Sequence, residues 1–176
     1  VFASYRDKRL LEVSPSTVRR ELTILRHCLD LALTDWGVHL SDNPVSTIKS
    51  PPETRPRERR LTNEELFKLK HGALRTKTLY LWPIINLALE TAMRRGELLN
   101  IRITDINFSS STLYISQTKT GIPRTIPLSK EALSVLKTLR PVGDRLFPIS
   151  ANAFRLSWER LKLREGIKDL RFHDLR

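Results

Sequence analysis

A mainly α-helical fold carrying one small three-stranded antiparallel sheet is what this chain of 176 residues predicts. Three features lead there. Apolar residues recur at helical spacing in several segments, and Ser14, Thr62, Ser129 and Ser150 stand where helix N-caps belong. Between Ile103 and Leu128 the spacing shortens to that of strands, punctuated by Ser109-Ser-Ser111 and by Lys119-Thr-Gly121. No repeat or low-complexity segment interrupts the pattern.

In order along the chain, Ser14-Pro15 places a cap before a proline at the first helical position. Val18, Leu22, Leu25, Leu29 and Ala32 then form one apolar stripe, which Gly37 ends. Ser41-Asp-Asn-Pro44 is a turn, and residues 51–60 form a proline-rich basic linker ending in Arg55-Pro-Arg-Glu-Arg-Arg60. That strap is either solvated or laid along a polyanion backbone. Thr62-Asn-Glu-Glu65 matches a capping box and opens a helix. Leu79 to Thr91 reads as a buried helix with Pro83 confined to its first turn, followed by a short helix at Gly96–Leu99. Ile103, Ile106 and Phe108, then Leu113 and Ile115, then Arg124 to Leu128, supply the three strands. Ser129 caps a helix through Leu139, and Ser150 opens an amphipathic one with Phe154, Trp158 and Leu161, closed by Gly166.

Composition narrows the function. Lys and Arg number 31 against 19 Asp and Glu, a net charge of +12. The excess is uneven: residues 1–50 carry seven basic and six acidic side chains, residues 51–176 carry 24 and 13. That bias favours a polyanion partner for the second portion. One cysteine, Cys28, excludes an internal disulfide and any multi-cysteine zinc site. The longest apolar run, Leu79 to Leu89, contains Pro83 and Asn86 and falls short of the ~20 residues a bilayer requires. A cytoplasmic protein without membrane or metal partners is expected, and one that opens without Met as a piece of something longer.

Arg94 at a helix junction, Lys119 in a turn, and His173 with Arg176 three residues on are each common features alone. Together they suit a phosphodiester. Guanidinium forks bind the non-bridging oxygens bidentately, while lysine and histidine can move protons without metal.

These residues carry a resemblance. Glu90-Thr-Ala-Met-Arg-Arg-Gly-Glu-Leu98 resembles the first arginine box of the tyrosine recombinases, the phage integrase family. Gln117-Thr-Lys-Thr-Gly121 with Pro123-Arg-Thr-Ile-Pro-Leu128 resembles the family's lysine hairpin, and His173-Asp-Leu-Arg176 its His-x-x-Arg box. The resemblance implies an integrase-type catalytic domain over residues 61–176, preceded at residues 1–50 by part of a helical core-binding domain. It implies that Arg94 and Arg176 hold the scissile phosphate, that Lys119 protonates the leaving 5′ oxygen, and that His173 is an acid/base partner. Glu97 would orient a guanidinium, or is an ordinary ion pair within its helix. Implied partners are double-stranded DNA and further copies of the protein, four in the recombination complex; no cofactor is implied. Candidate DNA contacts are Arg19, Arg20 and Arg26 on the first capped helix, Arg55, Arg57, Arg59 and Arg60 in the strap, and Arg95 and Arg124 near the site.

Two departures from the family matter. Ala92 stands where the family usually has glycine. The nucleophilic tyrosine of the family lies beyond the His-x-x-Arg box, where this chain stops; Tyr5, Tyr80 and Tyr114 all read as structural. The expectation is therefore a recombinase truncated before its nucleophile, which binds DNA without cleaving it. The rival readings are a non-catalytic DNA-binding module of the same fold and a helical RNA-binding protein.

Overall fold

The computed structural model describes residues 1–55, 57–118, 121–139 and 143–176. Lys119 therefore lies outside the described residues, as do Pro56, Thr120 and residues 140–142. The chain forms two compact units, Val1–Glu58 and Arg59–Arg176. Residues 51–58 belong to the first of these, where Pro51 is buried. The fold is mainly helical, with one small antiparallel sheet.

The first unit rests on α2, Pro15–Thr34, opened by Ser14, whose hydroxyl accepts from the Thr17 N–H. Its stripe puts Val18 and Leu22 against Val45, with Phe2, Val13, Leu25, Leu29 and Ile48 packed around them. Asn43 ties the following turn back to α2, donating to the Arg26 carbonyl (2.8 Å) and to Asp30 (2.6 Å). A helix not foreseen from periodicity, α1 (Phe2–Leu10), precedes it. None of its residues is fully buried, so it has no apolar stripe to read. It is tied to α2 by charge: Tyr5 donates to Glu21 (2.9 Å), and Arg9 grips both oxygens of the same carboxylate.

The second unit has the larger core. Helix α3, Asn63–Leu74, begins with the complete Thr62/Glu65 capping box. Helix α4, Leu81–Thr91, runs through the centre, with Leu81, Ile84, Ile85, Leu87 and Ala88 fully buried. Pro83 sits in its first turn, where its missing N–H has no intrahelical carbonyl to meet. Tyr80 caps α4 rather than lying within it, half-buried and edge-on to Phe147. Helix α5 is a single turn, Arg95–Leu99.

The sheet is β1 (Ile106–Asn107), β2 (Thr112–Ile115) and β3 (Arg124–Pro127), antiparallel in that order. The register pairs Ile106 with Leu113, and Ile115 with Arg124. Ile103, expected in a strand, lies instead in a 3-10 turn, Ile103–Asp105, because Asp105 reaches back to the Arg102 N–H (2.8 Å) and closes it. Helices α6 (Lys130–Thr138) and α7 (Ala151–Arg164) follow, capped by Ser129 and Ser150 as expected. A further 3-10 turn, Phe172–Leu175, ends the described fold and packs against α4. Phe172 stands edge-on to both Phe154 and Trp158 of α7. Among the described residues, no helix is long and apolar enough to cross a membrane.

Candidate functional site

The site is built where α4 hands over to α5. Helix α4 ends at Ala92, whose backbone is left-handed (φ 50°, ψ 26°). That conformation crowds a Cβ, which accounts for glycine being usual at the corresponding place in the resembling family. The chain then turns so that Arg94 becomes the N-cap of α5. Glu97, one turn on, reaches back: its Oε2 accepts from the Arg94 backbone N–H (2.9 Å), and its Oε1 from Arg94 Nη1 (3.2 Å). The Glu97 side chain is only 5% exposed, whereas that of Arg94 is 42% exposed. A buried carboxylate thus fixes the root of a guanidinium whose far edge is open to a ligand.

A second cation shares that carboxylate. Arg124, at the start of β3, places Nη1 3.2 Å from Oε1 and Nη2 2.9 Å from Oε2. Burial pushes the Glu97 carboxyl up, but the hydrogen bonds from Arg124, from the Arg94 N–H and from the Arg94 side chain outweigh it. The group is held below the ordinary carboxylate range. Nothing in the sequence announced this contact, because 27 residues and the hairpin separate the partners.

Arg176 arrives from the last 3-10 turn. Its Nε donates to the Ala92 carbonyl at 2.6 Å, joining the end of the chain to the bend that presents Arg94. The His-x-x-Arg box is therefore a 3-10 turn rather than an α-helix, and residues three apart eclipse in such a turn. His173, in the same turn, is exposed and lines a pocket of about 410 Å³ with Arg95, Arg155, Glu159 and Arg171 and the aromatic side chains of Phe154, Trp158 and Phe172. Arg176 thus bonds to Ala92, two residues before Arg94, and His173 shares a pocket with Arg95, the residue after Arg94.

The remaining basic candidates divide. Arg20, Arg55, Arg60 and Arg95 are exposed. Arg19 donates to the Pro51 carbonyl (2.9 Å) and pairs with Glu53 (2.8 Å), so it fastens residues 51–53 to α2. Arg26 turns inward to the Val45 carbonyl (3.3 Å). Arg59 pairs with Glu65 of the α3 capping box, and Arg57 is exposed and partnered. Tyr5 is held by Glu21, and Tyr114 alternates outward between buried Leu113 and Ile115.

Known proteins fit this geometry. The sequence profile of the phage integrase family matches residues 59–176. A shufflon-specific DNA recombinase of Escherichia coli is 38% identical over 184 residues, covering 99% of this chain and 47% of that protein. The chain spans about half the length of the curated relatives it matches. Among solved structures, a lambda integrase dimer bound to a COC′ core site is similar with TM-score 0.81 at 22% identity, over 99% of this chain and 53% of that one. A lambda integrase tetramer bound to a Holliday junction gives TM-score 0.81 at 22% identity, over 99% and 56%. At that identity the structural likeness is one of fold. By the match across its second unit, this chain is a member of the phage integrase family, the tyrosine recombinases.

Proposed function

We propose that this chain supplies the phosphate-holding part of a site-specific DNA recombinase, one that cuts and rejoins strands through a 3′-phosphotyrosyl intermediate. The observation that carries the reading is the 2.6 Å bond from Arg176 to the Ala92 carbonyl, which brings the second arginine beside the bend presenting the first. Two guanidiniums there match the two non-bridging oxygens of one phosphodiester, whose charge grows as an in-line nucleophile adds.

The roles are those that the family's motifs imply. Arg94 and Arg176 hold the phosphate and stabilise its pentacovalent state. His173 exchanges a proton with the attacking or departing oxygen, and Lys119 protonates the 5′ oxygen as its bond to phosphorus breaks. The tyrosyl oxygen forms the new ester as the 5′ hydroxyl leaves, so bond energy is kept and neither ATP nor metal is required. None of Tyr5, Tyr80 and Tyr114 is the nucleophile, so this chain by itself binds DNA without cleaving it. The partner is double-stranded DNA in the cytoplasm, and the working assembly is a homo-tetramer on two duplex sites, as the lambda integrase tetramer on a Holliday junction suggests. The domain plan is a DNA-gripping helical portion at residues 1–50, the basic strap at 51–60 and the catalytic portion at 61–176.

The test is Arg94→Ala in the natural gene product containing this chain, assayed for covalent adducts on a nicked suicide duplex. Adduct formation is expected to fall by about a hundredfold to a thousandfold, the usual loss on removing one charge-matched donor. Adducts that persist undiminished would overturn the catalytic reading in favour of a non-catalytic DNA-binding module.

A further inference from the structure

Arg124 lies in the strand that follows the lysine turn and is a candidate DNA contact by its charge. Its guanidinium points elsewhere. Both Nη atoms fork around Glu97, which also accepts the backbone N–H and the side chain of Arg94. Three donor groups therefore converge on one carboxylate that is only 5% exposed. We infer that Arg124 is a positioning residue, acting through Glu97 to leave the Arg94 guanidinium available to the phosphate and to fix the base of the β2–β3 hairpin against α5. This rests on the proposed catalytic reading.

Charge balance explains why a second arginine is needed. Two guanidiniums on one carboxylate leave a net positive charge, and the more exposed of the two, Arg94, can offer it to a ligand (side-chain exposure 42% against 37% for Arg124). Without Arg124, the buried carboxylate would have Arg94 as its one guanidinium partner among the described residues. Arg94 would then be drawn onto Glu97 as a neutral pair, or Glu97 would take up a proton. Either outcome removes attraction for a phosphate. Geometry is coupled as well: Arg124 opens β3 and pairs in register with Ile115, so the same fork ties the start of β3 to α5.

The experiment compares Arg124→Gln, Arg124→Lys, Glu97→Gln and the Arg124→Gln/Glu97→Gln double variant in the natural gene product. Adduct rate at saturating duplex, its pH profile and the salt slope of DNA binding are measured for each. Arg124→Gln is expected to slow adduct formation by about tenfold to a hundredfold, the scale of a small misplacement at a reacting centre. Its salt slope should match wild type, and its rate should decline with acid at a higher pH, as the less neutralised Glu97 protonates. Arg124→Lys should recover part of the rate, since an ammonium supplies charge without the fork. In the Glu97→Gln background, Arg124→Gln should add little.

A salt slope reduced by about one with an unchanged rate would overturn the inference in favour of a direct phosphate contact. A slower rate that tracks thermal stability alone, with the acid limb unmoved, would overturn it in favour of a structural strut. If Arg94→Ala slows adducts while Arg124→Gln does not, only this inference fails. If Arg94→Ala has no effect, the catalytic reading fails first.

Discussion

The second unit contains two clusters of the same chemistry put to different uses. At one, Glu97 is gripped by Arg94 and Arg124; at the other, Glu165 is gripped by Arg75 and Arg164. Both glutamate side chains are nearly buried, 5% and 11% exposed, and both carboxyls are held below the usual range. The difference lies in where the second arm of the arginine goes. Arg164 also donates to the Gly72 carbonyl at 2.6 Å, so its donors join the end of α7 to α3. A Cβ at Gly72 would lie 2.5 Å from Glu165 Oε1, so a larger residue there would push the Glu165 side chain aside. Arg94 instead has one hydrogen bond from its guanidinium among the described residues, and its side chain is 42% exposed. Arg75, 68% exposed, is open as well; what sets the Glu97 cluster apart is that Arg176 donates to the Ala92 carbonyl, two residues before Arg94.

The comparison breaks most visibly in paired substitutions. Arg94→Ala should cost about 3 kcal/mol of transition-state stabilisation with little change in thermal midpoint. Arg164→Ala should do the reverse, lowering the midpoint while adduct formation at low temperature is retained. Equal effects of the two on both measurements would erase the distinction.

Acid separates the clusters less sharply. A carboxyl whose folded pKa is depressed contributes stability above its unfolded value, and that contribution is lost as pH falls through the folded value. Glu165, pulled down chiefly by Arg164, and Glu97, where the hydrogen bonds led by that from Arg124 outweigh burial, should therefore both weaken the second unit only below the ordinary carboxylate range near pH 4. Denaturant midpoints recorded from pH 7 to pH 3 should be level and then fall. In Arg124→Gln, where Glu97 loses the leading hydrogen bond that opposes burial, the midpoint should be lower at pH 7 and its fall with acid shallower; Arg75→Ala should show the same to a lesser degree, because Arg164 remains.

Smaller effects sharpen the picture. Ala92→Gly should stabilise the chain by about 1 kcal/mol, read as a rise in thermal midpoint, because the left-handed backbone there suits glycine. In the first unit, Arg19→Ala should alter DNA affinity by less than about threefold, since that guanidinium is bound to Pro51 and Glu53. Arg20→Ala, from an exposed position, should alter it more, and should lower the salt slope by about one if it meets a phosphate. Titration of affinity against salt checks both.

Much of the helical skeleton was legible because its signals are local. Ser14, Thr62, Ser129 and Ser150 each cap a helix within three residues, and the stripe from Val18 to Ala32 needs no partner to be recognised. What escaped depends on partners distant in sequence. Helix α1 is fixed by Glu21, 12 to 16 residues away, and buries none of its residues completely. The 3-10 turn at Ile103 mimics strand spacing until Asp105 closes it. At the site, the motifs named Arg94, His173 and Arg176, yet neither the Ala92 carbonyl that receives Arg176 nor the Arg124–Glu97 fork has a local signature.

The central claim is that Arg94, Arg176 and His173 face one backbone phosphorus. A crystal structure of this chain on a duplex carrying its recombination site tests it most directly. Expected is a single phosphate whose non-bridging oxygens accept from both guanidiniums at about 2.8 Å, with the His173 imidazole at the same phosphorus. Arginines and histidine found on separate phosphates, or turned away from the duplex, would contradict it.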